Sequence, residues 1–223
     1  MIDIVNMENI EAQYLVSDLD LDYQYKLYKN VIIMMKKRGY IPKFKPLSKD
    51  GYVSSCLGYM INMQTVHDYL DKLTLFFKDK NTDIITMVYF HVLNINFNKQ
   101  DMDYILNFME QKKVDKLIII IHDKITSVVT NTINILKDKA QVFNEDELII
   151  NITEHAFVPK HIKLNNDEKE ELLSYYNASE KQIPVIYLND PVVKYYNWNI
   201  GDLIRIERYN GTPHPSIYYR IVG

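Results

Sequence analysis

Five consecutive apolar residues, Leu117–Ile121, constrain the fold of this chain more than any other stretch. The segment K-L-I-I-I-I-H at 116–122 is short and β-branched, which favours a strand over a helix. A strand with one wet face alternates polar and apolar residues. A continuous apolar run instead predicts a strand covered on both faces, as in a parallel α/β sheet. D-I-I-T-M-V-Y-F-H-V-L at 83–93 reads as a second buried strand by the same argument.

Helices are expected around these strands. Asp20 or Asp22 can cap one that runs to Lys37, with Leu27, Val31, Met34 and Met35 on its inner face. Residues 1–20 have weak periodicity and read as a lead-in. Lys36, Lys37 and Arg38 fall in the last helical turn, where the helix dipole favours cations; a DNA-facing patch is the sharper reading of the same cluster. Gly39 stops the helix, and Pro42 and Pro46 keep the chain extended. Residues 47–62 read as a Gly/Ser-containing connection that holds Cys56. A helix from Asn62 to about Lys78 is predicted from the stripe Val66, Tyr69, Leu70, Leu73 and Phe77, with His67 on its surface or in packing. Asn98 can cap a helix through Gln111, with Met102, Ile105, Leu106 and Met109 inward. Another helix runs to about Leu136, with Ile125, Val128, Val129, Ile133 and Leu136 inward. The order helix–strand–helix–strand–helix is that of an α/β unit.

Gln141–Ile152 reads as β-rich, and the composition shifts near 143–150. The chain is therefore divided into domains 1–145 and 146–223. In the second, Asn166 is expected to cap a helix Asp167–Asn177, with Leu172, Leu173 and Tyr176 on its inner face. Ile183–Leu188 reads as a strand with Pro184 at its start or on an edge. Asp190 caps a short helix with Pro191 at its first position. Trp198, the sole tryptophan, follows as a packing or partner-contact residue. Leu203–Arg208 alternates strictly, Asn210-Gly211 suits a tight turn, and Ile217–Val222 closes the sheet. The fold class is α/β, or α+β over the whole chain, with a small mixed-sheet second domain that carries two helices.

Composition narrows the function. The 223 residues carry a formal net charge of −3, against the basic excess of a protein that grips nucleic acid alone. Only 6 glycines occur, with no glycine-rich phosphate loop. The single cysteine, Cys56, rules out an intramolecular disulfide and a cysteine zinc site. The N-terminus lacks a signal-peptide pattern, and the longest apolar run falls far short of a membrane helix, so a soluble intracellular protein is expected. The N-x-S/T sequons at Asn151, Asn177 and Asn210 are then chance matches.

No catalytic signature emerges from the residues. A metal-dependent nuclease needs acids and a lysine converging at strand ends. Asp83 lies at a strand start, but 116–122 runs into His122-Asp123-Lys124 without an E-x-K or D-x-K pattern. His155 and His161 stand six apart across a proline, and with Glu154 they fit no helix face and no ligand motif; packing or hydrogen bonding is the simpler role. No G-x-S-x-G and no cysteine–histidine signature occurs. The residues alone describe a non-enzymatic two-domain protein with no metal and no cofactor.

Over residues 151–223 a series of short motifs occurs in order: N-I-T-E-H at 151–155, V-P-K-H-I at 158–162, D-E-K-E-E-L-L at 167–173, Q-I-P at 182–184, D-P-V at 190–192, G-D at 201–202 and Y-R-I at 219–221. In these the chain resembles the fifth common subunit of nuclear RNA polymerases I, II and III, whose C-terminal domain is similar to a small archaeal RNA polymerase subunit that lacks the jaw. The first domain resembles the same nuclear subunit through K-R-G-Y at 37–40, the strand at 117–121 and F-N-E-D-E-L-I-I at 143–150. The resemblance implies a non-catalytic subunit of a multisubunit DNA-directed RNA polymerase. Its C-terminal assembly domain would dock on the largest subunit, and its N-terminal, nuclease-like jaw domain would lie near downstream DNA. It assigns partner docking to His155, Pro159, His161, Asp190, Pro191, Tyr195, Gly201, Asp202, Tyr219 and Arg220, and makes Lys124 and Thr126 DNA-proximal. It implies neighbouring subunits as further partners, and a nuclear location in a cell or a cytoplasmic or virion location for a virus. A divergent nuclease and a stand-alone regulator with the same docking module are the alternatives.

The sequence also departs from the family. A T-P-S-A-type helix start is replaced by Thr126-Ser127-Val128-Val129-Thr130, with only Thr126 kept. A basic pair before the family's glycine is Asn199-Ile200 here, and the final hairpin, Asn210–Pro215, keeps only Thr212. This divergence and the abundance of residues with AT-rich codons point to a virus or a divergent eukaryote.

Overall fold

The computed structural model describes residues 20–63, 65–91, 97–122, 125–136, 139–209 and 214–223. The chain divides into two compact units, Met1–Ile149 and Ile150–Gly223.

The first unit is built on a five-stranded sheet in the order β1-β2-β3-β4-β5, formed by Tyr40–Pro42, Leu75–Asp79, Ile85–His91, Lys116–Ile121 and Ala140–Asn144. The first two pairings are antiparallel and the last two parallel. In β4 all of Leu117–Ile121 is buried, as its uninterrupted apolar run requires. Two helices show how both faces are covered. Helix α1 (Leu21–Lys37) ends with Arg38, whose guanidinium donates to Gln141 at 2.9 Å and lies 5.6 Å from the centroid of Phe143. Register places Gln141 and Phe143 beside Ile118 and Ile120, so α1 is on that face. On the opposite face is Tyr89, beside Ile119, with its hydroxyl 3.5 Å from His67.

Ser48 caps α2 (Lys49–Asn62), and Thr65 closes a capping box on α3 (Val66–Leu73), the helix that carries His67. Residues 47–62 are therefore mostly helix rather than a connection. Their apolar stripe is thin because only Tyr52 and Cys56 are buried, and packing on α1 supplies what local propensity lacks. The helix predicted from Asn62 to Lys78 is corrected too. It runs only from Val66 to Leu73, and Leu75–Asp79 is the strand β2 between β1 and β3. Leu70, Leu73 and Phe77 fit a helical spacing, but strand pairing overrides it from Thr74 onward.

Helix α4 (Lys99–Gln111) starts at Asn98 with a reciprocal capping box through Asp101. Helix α5 (Ser127–Leu136) buries Val129; Val128 is 50% exposed, which corrects its inward placement. The β-rich reading of 141–152 holds only to Asn144, after which Asp146–Ile149 forms a short helix, α6. The N-terminal lead-in to residue 19 and the Asn210-Gly211 turn lie outside the described residues.

The second unit holds a four-stranded sheet in the order β6-β8-β9-β7: Lys160–Lys163, Leu203–Arg208, Ser216–Val222 and Val185–Ile186. Helix α7 (Asn166–Tyr175) is capped by Asn165, not Asn166. Asn165 accepts from the Glu168 amide, and its own amide donates back to the Glu168 carboxylate. Tyr176, the residue after the helix, is 59% exposed rather than buried, though its ring stands 6.4 Å from that of Tyr219 on the sheet. The strand predicted over 183–188 shrinks to Val185–Ile186 on a sheet edge directly after Pro184, where a residue without an N–H is tolerated. Helix α8 (Pro191–Tyr196) starts with Pro191 behind the Asp190 cap. Two small cores result, one on each sheet face. Leu164, Leu203 and Ile221 pack with Leu172 of α7, and Val193 of α8 packs with Ile204, Val222 and Trp198.

Candidate docking surface

The faces of the second sheet decide what its side chains can reach. Tyr219 and Ile162 both stand opposite Arg205, so these three share the α7 face. Arg220 stands opposite Ile204, and Tyr218 and His161 opposite Ile206, so these lie on the α8 face. The proposed docking residues thus fall on two faces.

Several of them hold the fold. Asp190 accepts from the Val192 amide at 2.8 Å and the Val193 amide at 3.4 Å. Tyr195 is buried at 3% exposure. Gly201 has φ +87°, a left-handed conformation that favours glycine, and its amide donates to the Val222 carbonyl at 2.8 Å. Asp202 accepts from the Asn199 amide at 2.8 Å and pairs with Lys163 at 2.7 Å. Together they shape the turn that feeds β8 beside β9.

The others reach solvent. His155 is exposed, and its Nδ1 accepts from the Phe157 amide at 3.4 Å. His161 is half-buried and donates from Nδ1 to the Pro159 carbonyl at 2.7 Å. Pro191 is exposed, and Pro159, Tyr219 and Arg220 are half-buried. No group of three His, Cys, Asp or Glu side chains able to hold a metal ion exists among the described residues.

The sequence reading missed the aromatic part of this surface. Tyr175 is 82% exposed, Tyr187 70% and Phe157 90%. Between α7 and the sheet lies a groove of about 290 Å³, lined by Leu172, Tyr175, Tyr176, Arg205 and Tyr219 among others. The spacing of Leu172, Tyr175 and Tyr176, three and four apart, was the available signal. Arg205 sits in this groove in an ion pair with Glu207, which Lys160 also approaches at 3.6 Å. The hydrogen bond from Arg205, then the charge of Lys160, hold the Glu207 carboxyl below its ordinary range.

The two sheet edges differ. On β6, Lys160 and Lys163 are engaged in ion pairs with Glu207 and Asp202. On β7, the carbonyls of Pro184 and Ile186 accept from Ile221 and Gly223, each at 3.0 Å. The backbone groups of Val185 between them face the open edge. Val185, Tyr187 and Leu188 there are all exposed.

In the first unit, Thr126 is exposed and accepts from the Val129 amide at 3.5 Å, capping α5. Lys124 lies outside the described residues. Asp83 precedes β3 and pairs with Lys78 at 2.7 Å. His122 follows β4 at the other end of these parallel strands and hydrogen-bonds Glu145. Asp83 and His122 therefore lie at opposite ends of these strands and do not converge. Cys56 is buried at 1% exposure, and burial pushes its thiol pKa up, so it is not poised as a nucleophile.

Residues 150–222 match the family described as RNA polymerase Rpb5, C-terminal domain. The chain is 28% identical over 214 residues to the subunit rpabc1 of DNA-directed RNA polymerases I, II and III from Dictyostelium discoideum, an alignment covering 91% of this chain and 98% of that one. It is 34% identical over 116 residues to the corresponding subunit of Caenorhabditis elegans, and 28% identical over 115 residues to subunit 5B of RNA polymerases IV and V from Arabidopsis thaliana. Those two alignments span about half of each relative, 55% and 53%.

Proposed function

We propose that this chain, whose C-terminal unit matches the Rpb5 C-terminal domain, serves as a non-catalytic subunit of a multisubunit DNA-directed RNA polymerase. The carrying observation is the similarity to a shared polymerase subunit through 91% of the chain. The second unit docks on the largest subunit. Its exposed aromatics are the natural contacts, because tyrosine buries a large area at low entropic cost. The open edge at Val185 offers main-chain groups to an incoming strand, and the α7 groove takes a side chain beside Arg205. His155, Pro159, His161, Pro191, Tyr219 and Arg220 contribute from the surface, while Asp190, Tyr195, Gly201 and Asp202 act by holding its shape.

The first unit acts as a jaw beside downstream DNA, contacted by Thr126 at the start of α5 and by Lys124, two residues earlier in the sequence. A net charge of −3 is compatible with this, since neighbouring subunits hold the chain in place and it needs no strong field of its own. In a cell the assembly works in the nucleus.

Tagged full-length chain, expressed in its own host and purified under native conditions, should bring down the largest polymerase subunit at one copy per enzyme. Deleting residues 150–223 should abolish this. Recovery without any polymerase subunit, or at far below one copy per enzyme, would overturn the proposal. Incubating the purified chain with DNA and Mg²⁺ or Mn²⁺ should give no cleavage above that of an Asp83→Ala control.

A further inference from the structure

A well-formed cavity in the first unit has no part in the docking surface above. It measures about 460 Å³, within the range of small-ligand sites. Its floor is buried and apolar: Tyr28, Tyr52, Cys56, Leu73 and Leu75 are each 7% exposed or less. The floor is built rather than collapsed. Tyr28 and Tyr52 pack with ring centroids 4.8 Å apart, and the Tyr28 hydroxyl accepts from the Leu47 amide at 3.0 Å, fixing the entrance loop. Phe44 forms a side wall, edge-on to Phe77 at 5.6 Å.

The rim has the opposite character. Lys43, Lys45, Lys72 and Lys112 line the mouth, and no Asp or Glu does. Asp71 and Lys112 interact electrostatically, but Lys43, Lys45 and Lys72 form no ion pair among the described residues. Burial raises the pKa of Tyr28, Tyr52 and Cys56 alike, so the floor stays neutral at pH 7. A neutral apolar cavity under lysines, three of which have no ion pair among the described residues, selects for an apolar body that ends in an anion.

We propose that this cavity binds a small amphipathic anion, with its apolar body against Tyr28, Tyr52, Leu73 and Leu75 and its carboxylate or phosphate at Lys43, Lys45 and Lys72. The site stands on the first unit alone and does not depend on the assembly reading.

Calorimetric titration of the full chain with dodecanoate and with dodecyl phosphate, both below their micellar concentrations, tests this. Saturable binding near one per chain is expected for at least one of them, and the pair separates a carboxylate from a phosphate head. Dodecyltrimethylammonium, with the same apolar chain and a cationic head that the lysines repel, should bind at least about tenfold more weakly. The triple variant Lys43→Ala/Lys45→Ala/Lys72→Ala changes exposed side chains only, so it keeps the fold and should lose about tenfold in affinity. Ser55→Phe, on the cavity wall, should block the site without touching the lysines. Equal binding of the cationic analogue, an unchanged affinity in the lysine variant, non-saturable uptake, or binding only by acidic peptides would each overturn the proposal.

Discussion

The hydroxyl of Tyr104 donates a 2.6 Å hydrogen bond to Oδ2 of Asp71, tying α4 to α3. The Tyr104 ring also stacks on His67, with centroids 4.0 Å apart. Burial, with the neighbouring charge of Asp68, holds the Asp71 carboxyl pKa above its ordinary 3.8 against the pull of the Tyr104 bond, His67 and Lys112. A carboxylate with a raised folded pKa binds protons more tightly folded than unfolded. Its contribution to stability is therefore most favourable at low pH and is lost as pH rises through the folded value. Asp71→Asn cannot titrate. Denaturant unfolding should show the wild type gaining on Asp71→Asn as pH falls from 7 toward the ordinary carboxylate range. The opposite trend would mean that Asp71 is stabilised as an anion. Tyr104→Phe should cost about 1.5–3 kcal/mol near neutral pH, the usual worth of a hydrogen bond to a charged group.

Two glycines should respond in opposite directions to alanine. Gly58 sits inside α2, and a Cβ there meets nothing within 4 Å. Gly58→Ala should stabilise by about 0.5–1 kcal/mol, because the unfolded chain loses freedom. Gly201 has equally open space, but its φ is +87°. Gly201→Ala should destabilise by about 1–2 kcal/mol. Thermal unfolding of both variants reads the difference directly; equal shifts would contradict the left-handed turn.

Much of this architecture was legible in the sequence where local chemistry and tertiary packing agree. The run at Leu117–Ile121 is a strand buried on both faces, and Asp20, Asn98 and Asp190 cap the helices that follow them. Reading failed where the two disagree. Gly51, Ser54, Ser55 and Gly58 make 49–62 look like a linker, yet burying Tyr52 and Cys56 keeps it helical. Leu75 and Phe77 continue a helical stripe, yet they lie in a strand because β1 and β3 pair on either side. The motifs of the second unit were visible as residue strings, but several of their residues proved to be caps and turns. The exposed tyrosines of the proposed docking surface carry no motif, since an exposed aromatic is recognised only once the core is known.

That division predicts two classes of variant in the second unit. Tyr175 and Tyr187 are 82% and 70% exposed, so Tyr175→Ala and Tyr187→Ala should each change stability by less than about 0.5 kcal/mol. As interface anchors they should still weaken recovery of the largest polymerase subunit, by about thirtyfold if they are hot spots of about 2 kcal/mol. Tyr195→Ala should lose that recovery for a different reason, because truncating a buried aromatic costs about 3–5 kcal/mol and unfolds the unit. Circular dichroism beside the pull-down separates the two. Full recovery with both exposed variants would move the docking surface elsewhere.

Asn30 closes the first unit. Its side-chain amide donates to the carbonyls of Leu148 and Ile149, both at 2.9 Å, which satisfies the end of α6 from the middle of α1. A four-residue helix cannot hold itself, so this contact and the burial of Leu148 keep the segment in place. Asn30→Ala removes both bonds and leaves two carbonyls to find water. The expected cost is about 1–3 kcal/mol. Because α6 is the last element before the split at Ile149, the loss should be local as well as global. Limited proteolysis should cut faster between residues 145 and 151 in Asn30→Ala than in the wild type, with strands β3 and β4 still protected. Asn30→Asp should be worse than Asn30→Ala, since a carboxylate would face the two carbonyls with no proton to give. If cleavage there is unchanged in both variants, α6 is held by Leu148 alone.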